Sequence, residues 1–478
     1  MKIGLSLQFS LTILLLIILG VVYLTTLLPG VGFSGDSAEL QFMGKILSIP
    51  HPTGYPIYIL INFIFTSIFP FGSLAFKVNL LSSIFSLLAV VFLFRILICL
   101  EVDKYLSFIT SLTFGFTYTF WLHSIVAEVY SLHVLFLSIV LYYFIKWNKT
   151  GLNKFLLLGC FFYALSFGNH LTMITLLPGI IFIVWAKDKT VFRNTKTISI
   201  VILFIFLGVS QYLFLLWRSY NPGLPFSQLR SPDVKTFVQF ITGGHFKSRM
   251  FAFSFGEILN QRMPLLITFL IKEYLVILPL SIYGIFSFKN KNINIFLLVY
   301  FVSNIIYAIN YDIVDIYIYF LPNYFILAIY LGICLNSFSA SLPKRSIAIF
   351  LFIPAFIFIH NFKMVNQHNK TSIAEEVESV LESVDSNALI IPSDWENAGY
   401  FLYYLIGENI QNTKNIYVLV HHDRNSINNY LSENESIILP EQGITVPKDL
   451  DIYSINTQYK GDFKLLKVKE NLYKMVKR

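Results

Sequence analysis

The chain has 478 residues, 56% of them hydrophobic and 17% aromatic but only 13% charged, with a mean hydropathy of +0.67. Soluble domains carry about 25% charged residues, so this composition excludes a large soluble protein and indicates an integral membrane protein. The net charge of +8 lies mostly in short basic breaks between apolar runs, which is a topology signal rather than a nucleic-acid surface.

The first apolar run, 5–28, is too long for a signal-peptide core and has no obvious small-residue cleavage site, so it reads as a retained first span. A first outside loop, 29–77, follows. It contains a short apolar piece, 56–70, closed by Pro70-Phe71-Gly72, which reads as interfacial or re-entrant because it is short for a crossing. Further spans are expected at about 78–98, 105–122, 129–147, 154–168, 171–186, 198–217, 264–288, 293–310, 317–338 and 345–361, giving eleven crossings. A long outside loop, 218–263, separates the seventh span from the eighth. Residues 1–361 therefore form a transmembrane domain, and 362–478 turn polar, with β-rich runs at Ala388–Ile391 and Ile416–Val420. An odd number of crossings places this small α/β domain outside. Cys99, Cys160 and Cys334 sit within apolar runs, with no disulfide or metal-ligand spacing.

Charge tests this arrangement. With Lys2 inside and 56–70 not crossing, the inside breaks carry Arg95, Lys104, Lys146, Lys149, Lys154, Lys187, Lys189, Arg193, Lys196, Lys289, Lys291, Lys344 and Arg345. The short outside breaks at 123–128, 169–170 and 311–316 contain no Lys or Arg, as the positive-inside rule requires. The long loop is the exception, with Arg218, Arg230, Lys235, Lys247, Arg249 and Arg262; a basic loop there has work to do.

The distinctive polar residues then fall on the outside face. Asp36, Glu39, His51 and Tyr55 are in the first loop, His123 and Glu128 at the second turn, and Asn169 and His170 at the third. Arg218 opens the long loop, and Asp312 and Asp315 lie in the last turn. Asp36 and Glu39, three residues apart, would share one face of a short helix. Ionisable groups beside a span are costly and mark functional sites. His421-His422-Asp423 lacks further spaced ligands, so no metal site is assigned; the sequons at Asn369 and Asn434 carry little weight.

Gly35-Asp36-Ser37-Ala38-Glu39-Leu40, His51-Pro52-Thr53-Gly54-Tyr55-Pro56 and Lys77-Val78-Asn79-Leu80-Leu81-Ser82 occur in order, followed by Ala127-Glu128-Val129-Tyr130, Gly168-Asn169-His170-Leu171-Thr172 and Trp217-Arg218-Ser219-Tyr220-Asn221-Pro222. Over about 30–325 the chain thereby resembles a family of multi-spanning proteins, formerly a domain of unknown function, grouped with the protein O-mannosyltransferases of the GT-C superfamily. The resemblance implies a polyprenyl-phosphate sugar as donor and a catalytic carboxylate in the first extracytoplasmic loop. It also implies a hydroxyl acceptor, with mannose on Ser or Thr of an exported protein as the family-based expectation.

A lipid-phosphate sugar has a good leaving group, so the protein must supply a base for the acceptor hydroxyl and cations for the phosphate. Asp36 is the expected base, for in-line attack with inversion, and Glu39 is expected to orient acceptor or sugar. Arg218, with His51 or His170, is expected to neutralise the phosphate, and Asp312 and Asp315 to accept from sugar hydroxyls or support the site. Tyr55, Glu128 and Asn169 complete the expected substrate-binding set. The carboxylates could serve with or without a divalent metal. The rival reading is a transporter or flippase for a lipid-linked or anionic solute. Transporters place broken polar helices at the midplane, whereas here the polar residues collect at one end. The composition and the lack of disulfides point to a bacterial inner membrane.

Overall fold

The computed structural model describes residues 2–341, 343–409, 414–420, 438–439, 441–446, 450–455 and 463–477. Among them, nine helical stretches are long and apolar enough to cross a membrane. These are Ser6–Thr26, Leu74–Cys99, Tyr130–Thr150, Leu171–Arg193, Thr195–Ser219, Phe255–Ser287, Lys291–Ile309, Ile316–Ser339 and Ser346–Val365. They correspond to nine of the eleven expected crossings. The His421-His422-Asp423 run and the Asn434 sequon lie outside the described residues.

The helices run α1 (Lys2–Thr26), α2 (Gly35–Met43), α3 (Pro56–Ile68), α4 (Leu74–Cys99), α5 (Lys104–Gly115), α6 (Tyr118–Ser124), α7 (Tyr130–Thr150), α8 (Asn153–Ser166), α9 (Leu177–Asp188) and α10 (Thr195–Ser219). They continue with α11 (Val234–Ile241), α12 (Phe255–Glu257), α13 (Met263–Tyr274), α14 (Leu278–Ser287), α15 (Lys291–Ile309), α16 (Leu321–Ser339) and α17 (Phe352–Val365). Two of the expected crossings, 105–122 and 154–168, are shorter than full membrane spans. The first breaks at Phe116-Thr117 into α5 and α6, and the second is the 14-residue α8. At 1.5 Å per residue α8 is about 21 Å long, against a hydrocarbon thickness of about 30 Å.

Both stretches nonetheless run the height of α7. An ion pair between Lys149, in the last turn of α7, and Glu101, just before α5, marks one end of the bundle. At the other end Glu128 meets the loop before α2, and the Asn169 side chain donates to the Val129 carbonyl at 3.1 Å. The broken backbone between α5 and α6 is tolerated because it is buried. Glu273 of α13 accepts from the Thr119 N–H and hydroxyl in the first turn of α6.

The span Ile316–Ser339 has 94% of its apolar window buried against 17% for Thr195–Ser219, which puts α16 at the centre and α10 at the rim. Gly284 of α14 lies so close to α16 that a Cβ there would stand 1.9 Å from the Tyr330 carbonyl oxygen. Small residues permit such approaches between membrane helices.

After α17 the chain returns to the first span, with Gln367 N–H donating to Thr26 O at 3.0 Å. It then forms α18 (Ser372–Ser383), β1 (Ala388–Ile391), α19 (Trp395–Leu402), β2 (Ile416–Val418), β3 (Ile438–Leu439), β4 (Ile444–Thr445), β5 (Asp451–Ile455), β6 (Phe463–Lys469) and β7 (Leu472–Lys477). The main sheet has the order β2-β1-β5-β7-β6, with β1 parallel to both neighbours and the β5-β7-β6 edge antiparallel. All four residues of β1 are buried, as a central strand covered on both faces requires. α19 leaves this strand and packs against α2, so the C-terminal domain sits at the Glu128 end of the bundle.

Candidate active site

The loop after α1 is built around a capped helix. Ser34 is the N-cap of α2 and accepts from Ser37 N–H at 3.0 Å. Both serine hydroxyls donate to Glu128 Oε1, Ser34 at 3.2 Å and Ser37 at 2.9 Å, which pins this turn to the turn before α7. Asp36 stands in the first turn, where the helix dipole favours a carboxylate, and its side chain is 49% exposed. Glu39, one turn on, is 1% exposed. The pair therefore shares a neighbour but not an environment.

That neighbour is His51. Its Nδ1 is 2.5 Å from Glu39 Oε2 and 3.8 Å from Asp36 Oδ1, its N–H donates to Glu39 at 3.2 Å, and its Nε2 is 3.0 Å from the Tyr55 hydroxyl. Burial alone would lower its pKa. The Asp36 and Glu39 charges and the Glu39 hydrogen bond override burial and hold it at about 10. As an imidazolium, His51 donates from Nδ1 to Glu39 and from Nε2 to Tyr55, whose hydroxyl donates to Pro52 O at 3.3 Å. The turn that presents it uses Gly54 at φ +86° and Tyr55 at φ 42°, ahead of Pro56 at the start of α3.

Asp36, His51 and Tyr55 line a cavity of about 270 Å³ with His170, Asp315, Tyr130, Tyr311, Tyr319 and Arg249. His170 caps the 3-10 turn 171–176, its Nδ1 lying 2.6 Å from Thr172 Oγ1. Burial and the facing His51 charge push its pKa down to about 4, so it is neutral. Burial above all, aided by the Asp36 charge, raises that of Asp315. A second, apolar groove of about 500 Å³ runs between α8, α9 and α10, past Tyr163, Phe167, Ile174 and Val209. Leu171 and Thr242 line both spaces, so groove and cavity meet there.

The structure sorts the expected residues into three groups. Asp36, His51, Tyr55, His170 and Asp315 face the cavity. Glu39, Glu128 and Asn169 are buried behind it, with Glu39 bonded to His51. Arg218 and Asp312 lie elsewhere. Arg218 donates from Nε to Leu47 O at 2.6 Å and from its Nη2 to Ile46 O at 2.9 Å, so its guanidinium clamps the first loop instead of facing the cavity. Asp312 is exposed and pairs through its backbone N–H with Arg249 O at 2.9 Å.

Arg249 is the cavity cation that residue patterns did not single out, although its basic loop stood out. A β-bridge between Met250 and Tyr311 joins the long loop to the last turn and brings Arg249 over the cavity. Its guanidinium makes no ion pair among the described residues and lies 5.9 Å from the Phe246 ring centre. Among the described residues no three His, Cys, Asp or Glu side chains sit close enough to hold a metal ion.

Glu128 has a measurable signature. Burial and the Asp36 charge, partly offset by the Ser37 hydrogen bond, push it up to about 8. A carboxyl raised in the folded state contributes stability that is full below its unfolded value of 4.5 and is lost as pH rises through about 8. The melting temperature of the purified protein is expected to fall across that window. Glu128→Gln, whose amide oxygen can still accept from both serines, is expected to remove this part of the decline.

The helical fold has solved counterparts. It matches ArnT from Cupriavidus metallidurans bound to undecaprenyl phosphate over 97% of each chain, at a TM-score of 0.64 and 10% identity. It matches the Archaeoglobus fulgidus oligosaccharyltransferase in complex with Zn and sulfate over 92% of this chain and 67% of that one, at a TM-score of 0.52 and 12% identity. The protein thus has the GT-C fold of polytopic membrane proteins. Residues 36–193 match the family model described as the Protein O-mannosyl-transferase TMEM260 N-terminal domain. A stretch of 199 residues is 32% identical to Protein O-mannosyl-transferase TMEM260 of Mus musculus, covering 39% of this chain and 28% of that one. The Dictyostelium discoideum protein of the same description is 22% identical over 219 residues, 42% of this chain and 27% of that one. The chain matches about a quarter of the length of these curated relatives, and over that stretch it is similar to proteins described as protein O-mannosyl-transferases.

Proposed function

We propose that this protein is a membrane glycosyltransferase that moves a hexose, mannose in the family-based reading, from a polyprenyl-phosphate carrier to a hydroxyl acceptor with inversion. The acceptor is Ser or Thr of an exported protein. The reaction takes place on the extracytoplasmic face of the membrane, the bacterial inner membrane in this reading. One observation carries the proposal: an apolar groove and a carboxylate-bearing polar cavity meet at Leu171 and Thr242. An amphiphile with a long apolar tail and a sugar-phosphate head fits that pair of spaces. The relatives described as protein O-mannosyl-transferases, and the fold neighbour bound to undecaprenyl phosphate, support the same substrate class. The basic breaks lie at the end away from the cavity, where Lys149 pairs with Glu101, which supports the assigned side.

In this reading Asp36 takes the proton from the acceptor hydroxyl as the acceptor oxygen bonds to the anomeric carbon. The bond from that carbon to the phosphate oxygen breaks, and its electron pair leaves on the phosphate. Arg249 and the His51 imidazolium offset the charge that develops there, Arg249 through the planar fork that suits phosphate oxygens. Tyr55 orients His51, and Asp315 offers an acceptor to sugar hydroxyls.

The test is to incubate the purified full-length protein with polyprenyl-phosphate mannose, and separately glucose, plus a Ser/Thr peptide. Acceptor-dependent release of polyprenyl phosphate is expected; donors that stay intact with every acceptor would sink the reading. Arg249→Ala is expected to lower kcat by roughly 10²–10³-fold, the size of a lost charge-stabilising donor, with Arg249→Lys intermediate in initial-rate assays.

A further inference from the structure

Two sets of contacts tie the C-terminal domain to the loop that carries Asp36. On one side, α19 lies across the first turn of α2. A Cβ at Gly35 would stand 2.9 Å from the Glu396 Cα and the Trp395 Cδ1, and one at Gly399 would stand 3.1 Å from the Gly35 carbonyl oxygen. Asp36 is the next residue along. The other end of α2 is held as well, since the Lys45 ammonium donates to the Gly407 carbonyl at 2.9 Å.

On the other side, the Glu441 carbonyl accepts from Ser227 N–H at 2.6 Å and from Arg230 Nε at 3.1 Å. The 226–230 loop held there reaches back into the reaction centre. Gln228 N–H donates to Ile49 O at 2.9 Å, and Gln228 Nε2 donates to Glu39 Oε1 at 3.2 Å. Glu39 in turn holds His51.

We propose that the C-terminal domain is a positioning element of the reaction centre. Through Gly399 it sets the place of Asp36, and through Glu441 and Gln228 it sets the Glu39–His51 pair. The inference rests on Asp36 acting as the base. A base works only when held in reach of the proton it removes, and a displacement of about 1 Å can cost about 10²-fold in rate. The Ser34 cap, the serine bonds to Glu128 and the Asn62 side chain donating to Leu40 O at 3.0 Å hold α2 from the membrane side, and the C-terminal domain closes the opposite side.

Gly399→Ala and Gln228→Met test the two contacts in the full-length protein. Ala favours the α19 helix over Gly, so the first variant pushes on α2 without weakening its own helix. Gly399→Ala, which moves α2 by a few tenths of an ångström, is expected to lower kcat about 2- to 5-fold and Gln228→Met about 10-fold, each leaving donor KM within about twofold. Gly399→Ala is also expected to speed backbone hydrogen exchange in 36–43 while α7 keeps its protection. Unchanged kcat per folded molecule in both variants, with unchanged exchange in 36–43, would overturn the proposal. If the wild-type chain turns over no donor, the proposed reaction falls, and exchange alone decides the positioning: faster exchange in 36–43 supports it, and unchanged exchange overturns it.

Discussion

Asp36→Asn is expected to lower turnover by about 10²–10⁴-fold, the usual contribution of a positioned general base, while donor affinity is retained. The side chain is half exposed to the cavity, so an amide of the same shape leaves no buried charge behind and the helix cap at Ser34 stays intact. Folding and membrane insertion should be unaffected. Release of polyprenyl phosphate measures the rate, and binding of a labelled donor measures the affinity. Near-normal turnover in a folded, inserted variant would remove Asp36 from the catalytic role.

His51→Leu is the second large effect, and it acts on stability as well as rate. The change leaves the Glu39 carboxylate at 1% exposure without its cation, keeping only the His51 backbone N–H and Gln228. Breaking a buried pair from one side costs roughly 3–5 kcal/mol, because the remaining charge is uncompensated. Thermal unfolding in detergent should show that loss, together with loss of transfer. Adding Glu39→Gln removes the stranded charge, so the double variant should recover much of the stability but little of the activity. A double variant less stable than His51→Leu alone would contradict the pairing.

Much of the architecture was legible along the chain because a membrane crossing needs about 20 apolar residues in a row, and such runs stand out. Nine expected crossings appear as long apolar helices, and the short 56–70 piece is the 13-residue α3. The α5–α6 break was not legible, because the buried Glu273 that supports it is about 150 residues away in the chain. The first-loop motif pointed to Asp36 and His51 for the same reason that spans were visible: isolated polar residues in an apolar chain are conspicuous.

Residue type and spacing determined that the chain is a multi-pass membrane protein, that its polar clusters share one end, and that the first loop carries a pair of carboxylates. Only the tertiary structure decided which polar groups face the cavity. Asp36 opens to it and Glu39 is sealed behind it, although both lie on one short helix, because the walls around α2 come from elsewhere in the chain. Arg218 is spent on the Ile46 and Leu47 carbonyls while Arg249 reaches the cavity across the Met250–Tyr311 bridge. A guanidinium acts on whatever the fold leaves within reach, and contacts between distant segments leave no local pattern to read.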